Sequence, residues 1–223
     1  MGIENMNIIL AVLGGQKSLE WTTNFVGLVS QLQGSGHSMK ISMVEGDLNK
    51  LLGGDVLAGK KQSVFQDFKY DFIIIIRNDV LVNIDMINRL VGHNRDFVCG
   101  AYRRKDAKTL DIWERMDNAY FCKHGNFEYV TTETMEKWVA DGGALVPIES
   151  CGEGIVCIKS GAIEKLEYPW FRPVFQELLT PTGNKIIHFT TEFTGFCMNL
   201  RDRGVELWVD PMVRASLQTP MLV

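Results

Sequence analysis

Three polar residues follow the most apolar run of the chain directly, and they are the first candidates for ligand chemistry. The run from Phe72 to Ile76 contains four consecutive isoleucines, a pattern typical of a strand buried on both faces. Arg77, Asn78 and Asp79 come next. In open α/β sheets, ligands bind outside the carboxyl ends of the strands. We therefore expect these side chains at a ligand site, or else Asp79 only caps the following turn.

Two glutamates are candidates for acid–base chemistry. Glu192 follows two threonines at the start of a predicted helix, which would hold its carboxylate on a rigid element. The same charge would also stabilise the helix end without any catalytic role. Glu153 stands between Gly152 and Gly154, and these glycines would allow the backbone to approach a ligand closely.

Further candidates lie in segments without a clean period. Lys60 and Lys61 are adjacent on a predicted helix over 56–68, so they point about 100° apart and at most one faces a phosphate. Trp170 lies in an aromatic turn that also contains two prolines. Residues 106–143 form an excursion from the sheet whose rings either present flat faces to a sugar or cover a small satellite core. Those rings are Trp113, Tyr120, Phe127, Tyr129 and Trp138.

Apolar periodicity predicts the elements that position these residues. Strands are predicted at 7–13, 39–44, 72–76, 96–99, 144–148, 155–159 and 205–209. Besides the helix at 56–68, helices are predicted at 18–32, 84–92, 133–140 and 190–203. This alternation indicates the α/β class.

Composition excludes several classes of protein. The 223 residues, 46% of them hydrophobic, predict one domain over 1–223 with a tail at 214–223. A net charge of −4 provides no general basic surface for nucleic acid. We find no transmembrane segment and no secretory leader in the pattern, and so we expect a cytoplasmic protein.

The cysteines and glycines argue against further classes of protein. The five cysteines are odd in number and form no C-x-x-C pair, which predicts free, buried thiols. Gly14 and Gly15 follow the first strand, but the spaced glycines of a dinucleotide fingerprint and the lysine of a P-loop are missing. A classical dehydrogenase or NTPase is therefore disfavoured.

The order of motifs resembles the small GT-A glycosyltransferases of large DNA viruses and phages, including the chlorella-virus enzymes thought to glycosylate capsid protein. The resemblance runs from NIILAVL through IIIIRNDV, FVCGAYRRK, GEGIVCIKSGAIEKL and YPWFRP to TTEFTGFCMNLRDRGVELWVDP. It implies a three-layer α/β/α fold around a central mixed, mostly parallel sheet. It also implies a nucleotide-sugar donor, commonly UDP-linked, and a glycan or glycoprotein acceptor on the side of the 106–143 excursion. A viral member would act in the host cytoplasm.

The resemblance also implies roles for individual residues. In this family a D-x-D motif holds Mn²⁺, or Mg²⁺, against the diphosphate, and only Asp79 carries over as a metal ligand. Glu192 becomes the candidate base toward the acceptor hydroxyl, with Glu153 in reserve. The residues expected to bind the nucleotide sugar are Leu13, Gly14, Lys61, Arg77, Asn78, Asp79 and Trp170.

The chain departs from the family pattern at three places. Arg77 stands where the first aspartate is expected, the histidine of the C-terminal segment is missing from 214–218, and the usual Glu-Asp pair reads Glu192-Phe193. Either Asp79 holds a metal together with water and diphosphate oxygens, or Arg77 takes over part of the role of the cation. We favour a weakened metal site.

Three functions remain open at this point. The leading hypothesis is a glycosyltransferase. The second is a nucleotide-sugar-binding module of the same fold with impaired catalysis, which the changed D-x-D motif would allow. The third is a nucleotidyltransferase, because that chemistry also needs acidic residues and a metal.

Overall fold

A computed structural model describes residues 5–15, 18–46, 48–53, 68–104, 106, 108–180 and 182–217. Lys60 and Lys61, and all but the last residue of the helix predicted at 56–68, lie outside the described residues. Among the described residues, no helix combines the length and the apolar character needed to cross a bilayer.

The described elements alternate between strands and helices along most of the chain. The strands are β1 (Asn7–Leu13), β2 (Ser38–Val44), β3 (Phe72–Arg77), β4 (Val80–Leu81), β5 (Phe97–Tyr102), β6 (Ile112–Trp113), β7 (Val146–Ile148), β8 (Ser150–Cys151), β9 (Ile155–Lys159), β10 (Phe175–Leu179), β11 (Lys185–Phe189) and β12 (Leu207–Leu217). The helices are α1 (Leu19–Gly34), α2 (Leu48–Gly53), α3 (Ile84–Gly92), α4 (Asn118–His124), α5 (Thr132–Ala140) and α6 (Glu192–Asp202).

The central sheet has the strand order β2-β1-β3-β9-β5-β12-β4, and β7 pairs with β12. Strands β2, β1 and β3 run parallel, β9 runs against both β3 and β5, and β12 is parallel to β5. Five of the seven strands on this path therefore point the same way, while β9 and β4 point the other way. The predicted mixed, mostly parallel sheet is confirmed.

The isoleucine run explains why helices lie on both faces of the sheet. Successive side chains of a strand point to opposite faces. Ile73 and Ile75 join a buried cluster with side chains of α6, whereas Ile74 and Ile76 join a second cluster with side chains of α1 and α3. All four isoleucines are at most 1% exposed. The three-layer arrangement follows from this alternation, as expected.

The helix starts are fixed by side-chain caps that the sequence indicates. Ser18 accepts a hydrogen bond from the Trp21 amide at 3.0 Å, and Asn83 accepts one from the Met86 amide at 2.9 Å. Thr191 likewise accepts from the amide of Thr194, at 3.1 Å. Such caps satisfy amides that have no partner inside the helix. Helix α1 begins shortly after β1 and α6 shortly after β11, so these caps fix where each helix starts relative to the preceding strand.

Two segments differ from the sequence-based expectation. The expected tail at 214–223 is wrong for its first four residues, because β12 continues to Leu217 and pairs with β5 and β4. The hairpin of β10 and β11 was not predicted at all. Its Leu178 packs with Phe121 and Phe127 from the excursion, so a contact between distant segments stabilises it.

Candidate active site

A cleft of about 660 Å³ opens at one edge of the central sheet. It lies where β1 and β3 end and where the oppositely directed β9 begins. We call this side the strand-end wall, formed by Leu13, Gly14, Arg77, Asn78, Arg104, Asp111 and Glu153. A second group of lining residues, which we call the aromatic wall, consists of Trp113, Phe127, Tyr129, His188 and Phe189. Residues of the first turn of α6 also line the cleft.

The first and third strands bring Leu13, Gly14 and Asn78 together, as predicted. The amide of Asn78 donates to the carbonyl of Leu13 at 2.9 Å, and the amide of Gly14 donates to the Val44 carbonyl at 3.0 Å. Gly14 has a φ of +126°, and a Cβ there would overlap the side chain of Asn78. A glycine is therefore required at this position, and it leaves the Asn78 amide group at the floor of the cleft.

Arg77 is held in the strand-end wall by three hydrogen bonds. Its Nε and Nη2 donate to the two carboxylate oxygens of Asp79 at 2.6 and 3.1 Å, and Nη1 donates to the Tyr102 hydroxyl at 3.1 Å. Burial disfavours the guanidinium charge, but the bonds with Asp79 and the nearby Tyr102 outweigh it and raise the pKa of Arg77. Arg77 is therefore a permanent and fixed cation.

A second arginine is fixed in the same wall. Arg104 donates from Nη1 to Asp111 at 3.1 Å, and its guanidinium carbon lies 3.9 Å from the centre of the Tyr129 ring. The Tyr102 hydroxyl donates to Asp111, so one continuous network joins Arg77 to Arg104. Burial and the charge of Asp111 together raise the pKa of Tyr102, and its hydroxyl stays protonated as the donor in this network.

The glycines on either side of Glu153 make room for the network. A Cβ on Gly152 would overlap the Asp111 carboxylate, and one on Gly154 would overlap the Tyr102 ring. Gly152 also lines the cleft, so close approach of its backbone to a ligand stays a prediction.

Glu153 lines the cleft from a half-buried position next to the network. Burial raises the pKa of its carboxyl group, and a backbone hydrogen bond together with the charge of Arg77 opposes that change only in part. The nearby carboxylates Asp111 and Asp79 add to the increase. Glu153 therefore takes up a proton more readily than an ordinary glutamate does.

Glu192 also lines the cleft, on the exposed first turn of α6. The helix is capped by Thr191, and its buried side carries Phe193 and Phe196 at 2% and 0% exposure. These contacts fix the helix start, so Glu192 lines the cleft from a rigid turn. The two predicted acid–base candidates thus line one cleft, Glu153 from the strand-end wall and Glu192 from the start of α6.

Three of the five predicted aromatic residues of the excursion form part of the aromatic wall. Trp113 and Tyr129 pack with ring centres 4.9 Å apart, and Phe127 lies beside Phe121 and His188. Phe127 also belongs to a small buried cluster with Leu178. The excursion therefore covers a satellite core, as one alternative had it, and three of its rings also line the cleft, while their contact with a sugar stays a prediction.

Two predicted site residues do not line the cleft. Trp170 packs against the main core, with its ring edge-on to that of Tyr168 at 5.3 Å. Asp79 is absent from the cleft lining, and Arg77 donates to both of its carboxylate oxygens. Lys61 lies outside the described residues.

A divalent cation at a diphosphate is held by one or two protein carboxylates that are free to bind it, together with phosphate oxygens and water. The Asp79 carboxylate is already paired with Arg77, and the described part of the chain contains no cluster of three or more His, Cys, Asp and Glu side chains placed to hold a metal. The described residues therefore do not fit an Mn²⁺ or Mg²⁺ site at Asp79. Of the two explanations for the changed motif, the geometry favours the one that relies on Arg77.

Comparison with known proteins gives distant structural similarity. No protein-family model matches the chain, and no curated protein matches its sequence. A197 from STIV is similar at 14% identity and a TM-score of 0.47, over 98% of this chain and 96% of that one. GalNAc-T7, crystallised with UDP, GalNAc and Mn²⁺, is similar at 9% identity and a TM-score of 0.49, over 97% of this chain but 45% of its own length.

A third similar structure is mannosyl-3-phosphoglycerate synthase from Rubrobacter xylanophilus. It has 12% identity and a TM-score of 0.43, over 97% of this chain and 68% of that one. All three TM-scores are below 0.5, so the function of the cleft has to be argued from its own residues.

Sequence reasoning missed Arg104, Asp111, Tyr102 and His188 as cleft or network residues. Arg104 could have been found, because it follows the carboxyl end of β5 just as Arg77 ends β3, and the same rule applies to both strand ends. Tyr102 is the last residue of β5 and gives the same signal, whereas Asp111 and His188 give none. Asp111 reaches the network because its amide bonds to the Tyr102 carbonyl and its carbonyl accepts from Gly152, contacts that only the folded chain makes.

Proposed function

We propose that this protein is a glycosyltransferase that moves a sugar from a nucleoside-diphosphate donor, UDP-linked in our expectation, to a hydroxyl group of a glycan or glycoprotein. The proposal rests on one observation: a single cleft combines two fixed arginines, a set of aromatic rings and a carboxylate on a rigid helix start. Residues 1–223 would act as one domain, with the 106–143 excursion on the acceptor side.

The chemistry of glycosyl transfer requires these three groups. The bond between the anomeric carbon and the phosphate oxygen breaks, and its electron pair stays on the phosphate, where fixed cations stabilise it. The acceptor oxygen bonds to the anomeric carbon and gives up its proton to a general base. Flat apolar rings can pack against a sugar ring and exclude water from the reacting atoms.

We assign the strand-end wall to the donor and the aromatic wall to the acceptor. Leu13, Gly14 and Asn78 would take the edge of the nucleotide, because all three line the cleft where β1 and β3 end. Glu192 would accept the proton of the acceptor hydroxyl, since it is exposed and lines the cleft from the first turn of α6. Glu153 is less suited to this role because it lies next to Arg77, on the donor side.

A nucleotidyltransferase is less consistent with the described site. That chemistry commonly uses acidic residues to hold metal ions against a triphosphate. Here two aspartates near the cleft are each engaged by an arginine: Asp79 by Arg77 and Asp111 by Arg104. A binding module without turnover has the same binding requirements as a glycosyltransferase, and only an activity measurement separates the two.

The test is a panel of UDP-, GDP- and dTDP-sugars together with UTP and ATP. Binding is measured by calorimetry, and release of nucleoside diphosphate is measured with glycan and glycoprotein acceptors. We expect selective binding of a uridine-diphosphate sugar and acceptor-dependent UDP release. Tight binding without release would instead identify a binding module, and a preference for triphosphates would favour a nucleotidyltransferase.

A further inference from the structure

The two arginines of the strand-end wall are held in the same way. Arg77 lies with its guanidinium carbon 4.6 Å from the centre of the Tyr102 ring and is paired with Asp79. Arg104 lies 3.9 Å from the centre of the Tyr129 ring and is paired with Asp111. A tyrosine ring and an aspartate thus fix each cation, and both cations line the same cleft.

This arrangement keeps donor groups available for a ligand. A guanidinium has five N–H donors, and the hydrogen bonds described for Arg77 use three of them, two toward Asp79 and one toward Tyr102. The remaining donors of Arg77 lie on its two Nη atoms. The side chains of Arg77 and Arg104 are 23% and 37% exposed, so both are partly open to the cleft while their orientation is fixed.

A fixed pair of arginines suits a diphosphate. Guanidinium groups bind phosphate oxygens through two parallel N–H bonds, and the charge does not depend on pH in the physiological range. Donors that are already oriented need no reorganisation when charge develops on a leaving group. A bound divalent cation would supply the same two effects, but the described residues do not provide its ligands.

We propose that Arg77 and Arg104 together hold the diphosphate of the donor and stabilise the charge on the leaving nucleoside diphosphate, in place of a divalent cation. This rests on the proposed function, since it concerns the donor of the same reaction. When the bond from the anomeric carbon breaks, its electron pair stays on the terminal phosphate oxygen, next to the guanidinium donors. The proton of the acceptor hydroxyl goes to Glu192.

The direct test is calorimetry of UDP and of the UDP-sugar in excess EDTA, repeated with Mn²⁺ and with Mg²⁺. We expect affinities that agree within about threefold across the three conditions. Binding that appears only with a cation would overturn the inference and leave the glycosyltransferase proposal standing. Absence of binding to every nucleotide and nucleotide sugar, with or without cation, would overturn both.

Substitutions distinguish donor binding by the arginines from donor binding through a metal ion held by Asp79. Arg77→Ala and Arg104→Ala should each weaken UDP binding in EDTA by at least tenfold, and Arg77→Lys should lose part of the affinity because it keeps the charge without the fork. Asp79→Asn loosens the pairing that fixes Arg77, so it should weaken UDP binding by the same factor in EDTA and in Mn²⁺. A metal ligand at Asp79 would instead show as loss of Mn²⁺-dependent binding in this variant.

The chain offers a matched control. Arg95 lies over the Trp208 ring at 4.9 Å, the same kind of contact, but it does not line the cleft. Arg95→Ala should leave UDP affinity unchanged. Equal losses in Arg95→Ala and Arg77→Ala would mean that the effect is structural and would overturn the inference, and melting temperatures of all variants show which of them are folded. If Arg77→Ala fails to fold, Arg77→Lys and Arg104→Ala decide the outcome.

Discussion

The two walls of the cleft are built from opposite kinds of residue. On the strand-end wall, charged side chains are partly buried and joined in one network that runs from Asp79 to Arg104. The aromatic wall is carried in part by the hairpin of β10 and β11, which forms its own two-stranded sheet. One face of that hairpin leaves large apolar side chains exposed: Phe175 at 50%, Leu179 at 64%, Ile187 at 63% and Phe189 at 64%.

This difference indicates which part of the site is preorganised for a ligand group that is the same in every donor. Charged groups fixed on a buried sheet are suited to a diphosphate, which has the same shape in every donor of one class. An exposed apolar face is suited to a partner whose contacts are broad and less directional. The strand-end wall should therefore control donor affinity, and the aromatic wall should control the use of the acceptor.

The largest expected effect tests Glu192, the proposed general base. Glu192→Gln should lower the rate of transfer by on the order of 10²-fold or more, because loss of general-base assistance typically costs that much. UDP affinity should stay the same. Glu133→Gln is the matched control, since Glu133 lies in the first turn of the threonine-capped helix α5. Near-normal turnover with a lowered melting temperature would make Glu192 a structural residue and direct attention to Glu153.

A smaller effect is expected when a substitution breaks the network of the strand-end wall. Tyr102→Phe removes the hydroxyl that links Arg77 to Asp111 and keeps the ring. We expect UDP affinity to fall roughly tenfold, because a hydrogen bond to a charged group contributes about 1.5–3 kcal/mol. The control is Tyr70→Phe, which loses a hydroxyl bonded to Glu164 outside the cleft. Unchanged affinity in Tyr102→Phe would show that the network does not position the arginines.

A substitution in the aromatic wall should change the use of the acceptor and leave donor affinity unchanged. Phe189→Ala should raise KM for the acceptor by roughly threefold to tenfold, as expected for an aromatic contact of about 0.5–1.5 kcal/mol, and leave UDP affinity unchanged. Leu179 lies on the same hairpin face and is equally exposed, but it does not line the cleft. Leu179→Ala should therefore change neither value. Loss of donor affinity in Phe189→Ala would contradict the division between the walls.

The smallest effect concerns the pH dependence of donor binding. Burial raises the pKa of Glu153 above its ordinary value of 4.5, and the negative diphosphate next to it should raise that pKa further. Donor binding is then coupled to proton uptake by Glu153, so donor affinity falls as the pH rises through the pKa of Glu153 in the complex. We expect a UDP-sugar to bind more tightly at a pH below the pKa of Glu153 in the complex than at a pH well above it. Calorimetry should show this dependence vanish in Glu153→Gln, and a dependence that persists there would assign it to another group.

Much of the framework could be predicted because it depends on local patterns. The isoleucine run specifies a strand buried on both faces, and alternation along that strand requires covering helices on both sides. The prediction of free thiols is confirmed, with Cys122 partly exposed and the other four cysteines buried. The hairpin of β10 and β11 was missed because Leu178 becomes buried only against the excursion.

The sequence by itself determined that Arg77 and Asn78 stand at a strand end and that Glu192 stands at a helix start. These positions depend on residues within a few places along the chain, such as the apolar run before Arg77 and the threonine cap before Glu192. Only the tertiary structure decided which distant residues join Arg77. Arg77 meets Tyr102, 25 residues away, because β9 lies between β3 and β5 and its leading glycines leave room for the tyrosine ring. That contact depends on strand order, which no local pattern encodes.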